Sequence, residues 1–477
     1  MPSYKSILQT SNYLAGQWVS SENKSVILDK YSQEPIAEIS LGSSEQMETA
    51  TKAATKAFLE FRTWSAGKRS EYLTKLHIAL KNNLKAFTEL IVAEAGKPYN
   101  YAQMEVERAI LTLQIAATEA LRFGGEVVPM DFNIGESKTA FTKRFPIGPI
   151  ACISPFNFPL NLAMHKIAPA LAVGCTLVLK PAPQAPLSCL AFAKLCEETG
   201  YPAGVVNVIA CDIPVAEKMV KDDRFKMLSF TGSPQVGWYL KTICGKKKVA
   251  LELGGNAAVI IDETADLAQA AKITARGAYL YAGQICISTQ RIYVLQSVYQ
   301  AFTELLIKEI QDLKVGNPAD ANTTVGPIID THHFNRIKTW VEEAQKSGAK
   351  TLTSDTLDSK HNLYSPILLT NTQSDMKVVA DEVFGPVAII EPVATFQDAI
   401  HQTNASIFGL QTGIFSNNFN HIKLVHNELE VGGIIINNIP GFRMDNMPYG
   451  GVKDSGLGRE GLKYAMDEMT EPRLIVY

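Results

Sequence analysis

The alternation of short apolar segments with helix-length segments from residue 147 onward constrains the fold most strongly. Short joints that contain glycine or proline connect these segments. Repeated βα units of this kind predict a parallel sheet with helices on its faces, which is a doubly wound α/β architecture. The predicted strands are 147–153, 176–179, 205–209 and 227–230, and the predicted helices are 160–173, 187–199 and 215–220.

The segments on either side of this run extend the prediction. Residues 45–120 are rich in Ala, Leu, Lys and Glu at helical spacing, and they predict helices packed on the sheet. Segment 123–145 alternates like a β-hairpin, and 472–477 is an apolar terminal strand. Because an unpaired apolar strand favours aggregation, we expect it to pair with the 123–145 hairpin or with another chain. The predicted strands of a second α/β region are 259–261, 291–295 and 387–390.

The charge balance and the apolar runs argue against several classes of partner. The 477 residues contain 45 Lys and Arg against 48 Asp and Glu, a formal net charge of −3, without a long basic tract. This pattern predicts no nucleic-acid partner and no binding to an anionic membrane. The longest apolar run, 167–179, has 13 residues, whereas a membrane-spanning helix needs about 20. Since the N-terminus lacks the pattern of a secretory signal, we expect a cytoplasmic protein.

The cysteines favour reduced thiols. There are seven, an odd number, with no CxxC pair and no nearby His pair at zinc spacing. We therefore expect no disulfide and no metal site, and one of the thiols is open to a reactive role.

Three predicted strand ends carry polar residues. In an open parallel sheet, ligands bind at the carboxyl ends of the strands, where helix N-termini present unpaired N–H donors. Lys180 either extends to solvent or binds a ribose or phosphate. Gly232 and Ser233 mark either an ordinary helix start or an anion site. Asn157 either caps the following helix or donates to a developing oxyanion.

Two further segments hold reactive groups. Glu252 interrupts the apolar run 249–253, where an unpaired ionised carboxylate is costly. It either pairs with a nearby lysine or serves as a general base with a raised pKa. Cys286 follows a predicted helix that ends near Tyr281, and it is either a small core residue or a nucleophile.

Together these segments resemble the aldehyde dehydrogenase superfamily, from about residue 10 to the C-terminus. The resemblance implies an aldehyde-dehydrogenase-like α/β fold with a Rossmann-type coenzyme domain, an α/β catalytic domain and a β-hairpin oligomerisation element. The motifs that carry it, in family order and spacing, are PFNFP at 155–159, FTGS at 230–233, LELGGN at 251–256, GQICIS at 283–288, EVFGP at 382–386 and PYGGVKDSGLGREG at 448–461.

The resemblance also implies a division of the chain. The coenzyme domain would comprise residues 1–122 and 146–250, and the catalytic domain residues 251–440. Segments 123–145 and 455–477 would form the oligomerisation element. We therefore expect a homodimer or homotetramer.

The implied reaction is oxidation of an aldehyde to a carboxylic acid with NAD or NADP. Cys286 would attack the aldehyde as a thiolate, Asn157 and the Cys286 backbone N–H would hold the oxyanion, and Glu252 would activate the water that hydrolyses the thioester. Many NAD-preferring members carry an acidic residue where Pro183 stands, so NADP is admissible here. The residues implied to bind coenzyme are Lys180, Pro183, Gly232, Ser233, Glu382, Phe384 and Phe156.

The substrate is less determined. Arg108 and Arg443 match positions that line the substrate entrance in members resembling the lactaldehyde, phosphonoacetaldehyde and non-phosphorylating glyceraldehyde-3-phosphate dehydrogenases. Arginine suits anionic or polyhydroxylated aldehydes, including sugar aldehydes. Alternatively, Arg108 lies at the surface and pairs with Glu105 one turn earlier. Ile285 is apolar where some phosphonate-handling members carry arginine, which argues against an anionic substrate.

Three other functions remain as alternatives. A CoA-acylating relative would resolve the thioester with coenzyme A, but such relatives generally lack the glutamate base that Glu252 supplies. A non-catalytic binding protein with the same fold need not retain Cys286 and Glu252. A cysteine hydrolase would leave the coenzyme motifs unexplained.

Overall fold

The fold of residues 2–477 is described by a computed structural model. In chain order the strands are β1 (Asn12–Leu14), β2 (Gln17–Val19), β3 (Lys24–Leu28), β4 (Pro35–Ser40), β5 (Val127–Val128), β6 (Ala140–Pro146), β7 (Ile150–Ile153), β8 (Leu177–Lys180), β9 (Val206–Val208), β10 (Met227–Thr231), β11 (Lys248–Glu252), β12 (Ala258–Ile261), β13 (Arg291–Leu295), β14 (Lys350–Thr351), β15 (Leu357–Asp358), β16 (Leu363–Tyr364), β17 (Ile367–Thr370), β18 (Val387–Val393), β19 (Phe408–Gly409), β20 (Gln411–Phe415), β21 (Gly433–Ile436), β22 (Val452–Lys453), β23 (Gly456–Leu457) and β24 (Thr470–Val476). The α-helices are α1 (Ser44–Phe61), α2 (Ala66–Asn82), α3 (Leu84–Ala95), α4 (Tyr99–Arg122), α5 (Asn161–Val173), α6 (Leu187–Glu198), α7 (Ile213–Lys221), α8 (Pro234–Ile243), α9 (Leu267–Tyr279), α10 (Tyr299–Gln311), α11 (Thr331–Lys346), α12 (Lys377–Ala380), α13 (Phe396–Asn404), α14 (Phe419–Glu428) and α15 (Leu462–Glu468). Short 3-10 helices span Ser3–Ser6, Asn133–Gly135 and Leu280–Gly283.

The first sheet has eight strands in the order β2-β1-β9-β8-β7-β10-β11-β23. Its five central strands, from β9 to β11, are parallel, and this confirms the predicted βα units. Helix α5 contains most of the longest apolar run, and all of its residues are buried against this sheet's core. Among residues 2–477, no helix has the length and apolarity to span a bilayer.

The two N-terminal strands at one edge of this sheet, β1 and β2, are not among the predicted strands. Strand β1 has only three residues and meets β9 through a single pair, Tyr13 with Val208. A strand of three residues is too short to show an alternation of apolar and polar side chains. Its position depends on tertiary pairing instead of local pattern.

The second sheet has seven strands in the order β14-β17-β18-β13-β12-β20-β21, and all of its pairings except β14 with β17 are parallel. It has its own apolar core, as expected for a second α/β region. The predicted boundary between residues 250 and 251 falls inside β11, which belongs to the first sheet. The chain also returns to the first sheet at β23, within the segment assigned to oligomerisation.

The third sheet joins the terminal strand to the predicted hairpin. Strand β24 pairs antiparallel with β6 from Thr470 opposite Pro146 to Val476 opposite Ala140, and β6 pairs with β5. The terminal strand therefore has a partner within the same chain. Side chains of Leu474 and Tyr477 remain exposed.

Candidate active site

The carboxyl ends of the parallel strands converge on one edge of the first sheet. Strand β7 leads to Asn157, β8 ends at Lys180, β10 leads to Gly232, and β11 ends at Glu252. This is the edge at which open α/β sheets bind their ligands.

Asn157 contacts the loop that carries Cys286. Its Nδ2 donates a hydrogen bond of 2.9 Å to the main-chain oxygen of Gln284, and its side chain is buried. Helix α5 begins at Asn161, so Asn157 lies too early in the chain to cap it. The capping interpretation is therefore wrong, and Asn157 links the two halves of the site.

A sharp turn presents Cys286. Tyr281 and Ala282 have φ of 50° and 53°, followed by Gly283 at 68°. A Cβ on Gly283 would lie 2.1 Å from the main-chain oxygen of Gly385, so this position requires glycine. Cys286 is the only one of the seven cysteines that is not fully buried.

The Cys286 thiol has one side-chain partner. Its Sγ lies 3.1 Å from the hydroxyl of Tyr449. Burial raises the pKa of Cys286 to about 12, while the Tyr449 hydrogen bond and the charge of Arg443 oppose this rise. The carboxylates of Glu382 and Glu252 act in the same direction as burial.

Glu252 is buried without a polar partner. It is 4% exposed, and neither carboxylate oxygen forms a hydrogen bond within residues 2–477. Burial, and then the neighbouring charge of Glu460, raise its pKa well above the usual range. Arg443 and Lys166 oppose that shift. A carboxyl group held this way suits a general base.

A buried network of charges, absent from the sequence predictions, surrounds Glu460. Lys166 Nζ lies 3.2 Å from Glu460 Oε1, and Arg443 Nη2 lies 3.0 Å from Oε2. His165 bridges two carboxylates, with Nδ1 3.1 Å from Glu460 Oε2 and Nε2 2.8 Å from Asp445 Oδ1. Burial alone would raise the pKa of Glu460, but Lys166, His165 and Arg443 hold it well below its usual range.

The sequence signal for this network was present in α5. Polar residues at 161, 165 and 166 interrupt an otherwise apolar helix, and all three are fully or nearly fully buried. Buried charges require partners. The partners lie almost 300 residues away along the chain, so no local pattern indicates which residues they are.

Arg443 lies beside Tyr449, the partner of Cys286. Its side chain is 6% exposed, and its guanidinium carbon sits 3.5 Å from the centroid of the Tyr449 ring. Its Nε is buried without an acceptor among the residues that the structure describes. An unused buried donor at this position leaves room for a ligand oxygen.

Arg108 has a different partner from the one proposed in the sequence alternative. Its Nη2 lies 2.6 Å from Asp445 Oδ1, and its side chain is 27% exposed. Glu105 instead contacts Lys97 and accepts hydrogen bonds from the main chain of Leu160 and Asn161 at the start of α5. The proposed pair of Arg108 with Glu105 is therefore wrong, because Glu105 faces the interior.

The residues predicted for the adenosine and pyrophosphate lie along the same sheet edge. Lys180 is 9% exposed, and burial lowers its pKa. Ser233 caps α8, its Oγ accepting a 3.4 Å hydrogen bond from Val236 N, so the helix N-terminus opens beside Gly232. Pro183 is exposed in the loop after β8.

The residues predicted for the nicotinamide side form a small cleft. Glu382 Oε1 accepts a 3.0 Å hydrogen bond from Gly255 N, and burial raises the pKa of Glu382 to about 7. A Cβ on Gly254 would lie 2.3 Å from Glu382 Oε2. Phe384 and Phe156 pack edge to face with centroids 5.8 Å apart. The cleft extends from Glu382 and Phe384 to Ile285, which directly precedes Cys286.

Comparison with known proteins identifies the family of the chain. The sequence profile of the Aldehyde dehydrogenase family matches residues 18–475. The chain belongs to this family. The predicted superfamily and its α/β fold are thereby confirmed, and membership supports oxidation of an aldehyde.

Three relatives of this aldehyde dehydrogenase are informative. The 3-sulfolactaldehyde dehydrogenase of Priestia megaterium is 42% identical over 478 residues, covering 100% of this chain and 99% of the relative. The crystal structure of an aldehyde dehydrogenase from Physcomitrella patens, in complex with the reaction product succinate, has a TM-score of 0.95 at 36% identity and covers 98% of each chain. The glyceraldehyde-3-phosphate dehydrogenase GapN of Methanocaldococcus jannaschii, complexed with NADP, has a TM-score of 0.91 at 36% identity, covering 96% of this chain and 100% of that one.

Proposed function

We propose that this aldehyde dehydrogenase oxidises a small hydroxylated aldehyde that carries an anionic group to its carboxylic acid, with NAD or NADP as coenzyme. One observation carries the proposal. The partly exposed Cys286 lies within 3.1 Å of Tyr449, and the buried guanidinium of Arg443 covers that same ring. The proposed nucleophile and a cation for an anionic group therefore contact the same side chain.

Cys286 is the proposed nucleophile, and Asn157 the proposed oxyanion donor. The thiolate attacks the carbonyl carbon, and the carbonyl oxygen becomes an oxyanion. One N–H of the Asn157 amide is fixed by the Gln284 carbonyl, which orients the other for the oxyanion. The backbone N–H of Cys286 supplies the second donor.

Glu252 is the proposed base for hydrolysis of the thioester. Its two oxygens have no partner within the described residues, so they can accept from a water molecule. Its raised pKa makes the ionised carboxylate a stronger base for a proton of that water. The thioester forms when hydride leaves the substrate carbon of the oxyanion intermediate. Attack of the water on the thioester carbon then expels the Cys286 thiolate and releases the acid.

The residues at the sheet edge fit a dinucleotide. The α8 N-terminus at Ser233 can hold a pyrophosphate, and Lys180 and Glu382 can bind the two riboses. The backbone of Gly254 lies so close to Glu382 that a side chain at position 254 would not fit. When bound, the coenzyme supplies the acceptor for the hydride that leaves the substrate carbon. Pro183 offers no carboxylate, so neither coenzyme is repelled there.

The charges around the nucleophile favour an anionic substrate. Three cations, Arg108, Arg443 and Lys166, contact two carboxylates that are held ionised, Asp445 and Glu460. Among these five groups the cations exceed the carboxylates by one, and an anionic substrate would balance the excess. Three of the matched proteins agree, since 3-sulfolactaldehyde, succinate and glyceraldehyde 3-phosphate are all anions, whereas other relatives are lactaldehyde dehydrogenases, named for an uncharged hydroxylated aldehyde.

The test is a panel of matched aldehydes assayed with NAD and NADP separately. We expect 3-sulfolactaldehyde or glyceraldehyde 3-phosphate to exceed lactaldehyde in kcat/KM. Arg443→Gln should reduce that preference by roughly 10-fold to 100-fold, since a charge-assisted hydrogen bond contributes about 1.5–3 kcal/mol. Equal kcat/KM for charged and neutral aldehydes would contradict the substrate class. Absence of coenzyme reduction with every aldehyde would contradict the activity.

The third sheet supports the proposed homodimer or homotetramer. Exposed side chains of Phe141 on β6 and of its cross-strand partner Ile475 on β24 lie on one face of this sheet, where Tyr477 packs against Phe141, and they form an apolar face in the single chain. Such a face is typical of an interface between copies. Light scattering should give a dimer or tetramer mass, and a monomer would contradict the proposal.

A further inference from the structure

We infer that Tyr449 is a catalytic residue whose hydroxyl donates a hydrogen bond to the Cys286 thiolate, with the Arg443 guanidinium stacked on its ring to strengthen that bond. The inference rests on the proposed role of Cys286 as nucleophile. Tyr449 belongs to the motif at 448–461, whose individual residues carry no predicted role.

The position of Tyr449 is fixed by its backbone. Its N–H donates to the Glu460 carbonyl at 3.0 Å, and Glu460 N–H donates to the Tyr449 carbonyl at 2.7 Å. The Glu460 side chain in turn binds Arg443 and Lys166. The ring is 3% exposed and packs with Ile287 and Leu410. The phenol is therefore held in place beside the sulfur before any substrate arrives.

The direction of the hydrogen bond follows from the proton that each group retains. Burial, and then the nearby Cys286, raise the pKa of Tyr449 well above its usual range, so the phenol keeps its proton. Once Cys286 has lost its proton, sulfur can only accept, and the Tyr449 hydroxyl is its side-chain donor at 3.1 Å. Hydrogen bonds to an ionised partner are about twice as strong as neutral ones. The contact therefore favours thiolate over thiol.

Arg443 acts on the same bond through the ring. Its guanidinium carbon lies 3.5 Å from the ring centroid, a cation–π geometry that draws electron density from the phenol. A phenol with less electron density is a stronger hydrogen-bond donor. The other charged groups facing Cys286 are Glu382 and Glu252, and both disfavour the thiolate. Tyr449 and Arg443 thus lower the pKa of Cys286, whereas burial and both carboxylates raise it.

The test is the rate constant for Cys286 alkylation by iodoacetamide at several fixed pH values near neutrality, without coenzyme or aldehyde. Peptide mass mapping distinguishes Cys286 from the buried cysteines. Tyr449→Phe keeps the ring and removes the donor. Because the rate follows the thiolate fraction, we expect alkylation of Tyr449→Phe to be roughly 10-fold to 100-fold slower than that of wild type at each pH. An unchanged rate constant would overturn the inference, and a higher one would show that Tyr449 accepts from the thiol instead.

A matched control and a double variant separate this role from packing. Tyr279 is also buried, and its hydroxyl donates to the Ile367 carbonyl at 2.9 Å. Tyr279→Phe should leave the alkylation rate constant unchanged. Arg443→Met should lower it, and by a much smaller factor in a Tyr449→Phe background, because the ring transmits part of the effect. Equal factors in both backgrounds would overturn the role assigned to the stack.

The alkylation assay also separates this inference from the proposed function. It needs no turnover, so a slower alkylation of Tyr449→Phe stands even if no aldehyde is oxidised. Conversely, wild-type aldehyde oxidation together with an unchanged Tyr449→Phe alkylation rate would leave the proposed function intact and overturn the inference.

Discussion

Replacing Glu252 with Gln should stabilise the protein and stop its turnover. The carboxyl group is 4% exposed with both oxygens unpartnered, so the folded state disfavours its ionised form. Gln has nearly the same shape and no charge. The substitution removes an electrostatic cost of folding and, with it, the proposed base.

The sign of the stability change depends on pH. The pKa of Glu252 is raised in the folded state, so the unfolded chain ionises first as pH rises from about 4.5. Between that value and the raised folded pKa, wild-type stability falls by about 1.4 kcal/mol per pH unit, whereas the variant does not titrate there. The stability advantage of Glu252→Gln should therefore be small near pH 5 and grow with pH until the folded carboxyl group ionises.

Two assays measure this prediction. Thermal unfolding across that pH range should show the variant's advantage increasing with pH. Stopped-flow measurement of coenzyme reduction should show a burst of one turnover, followed by a steady state reduced by roughly 10²-fold to 10⁴-fold. A pH-independent stability difference would refute the raised pKa. Equal loss of burst and steady state would mean that Glu252 activates Cys286 instead of water.

Three further variants test other parts of the site. Asn157→Ala should lower kcat by roughly 10²-fold, the effect of removing one oxyanion donor, and a small change in kcat with a large loss of stability would refute that role. Pro183→Glu should raise KM for NADP through repulsion of the 2′-phosphate, an effect that added salt weakens. If wild type already rejects NADP by several orders of magnitude, another residue recognises the 2′ position. His165→Leu leaves Asp445 and Glu460 each without one buried partner, so chemical denaturation should show a loss of about 1–3 kcal/mol.

The elements of the parallel sheet could be predicted because each one carries its own signal. Strands β7, β8 and β10 are apolar runs bounded by glycine and proline, and their ends lie within three residues of the predicted ones. The sequence left two possible partners for the terminal strand, the hairpin and another chain. The apolar character of a strand indicates that it must pair, but it does not identify the partner. The register of β24 on β6 decides it.

The site could be predicted only where a single motif holds the residue. Cys286, Glu252 and Asn157 each lie in a short motif, and the structure brings Asn157 to the loop that carries Cys286. The Glu460 network could not be predicted, since its members come from α5 and from a segment near the C-terminus. Helical spacing suggested an ion pair between Arg108 and Glu105. Proximity along a helix, however, does not show which side chain faces the core.

The most direct test of the central claim compares Cys286→Ala with Cys175→Ala. Cys175 is a buried thiol whose Sγ contacts the Met469 carbonyl at 3.4 Å, so its truncation should cost only about 1 kcal/mol and preserve turnover. Both variants should bind coenzyme as wild type does. We predict that wild type and Cys175→Ala reduce coenzyme in the presence of an anionic hydroxy aldehyde, and that Cys286→Ala does not. Appreciable coenzyme reduction by Cys286→Ala would contradict a covalent mechanism at this thiol.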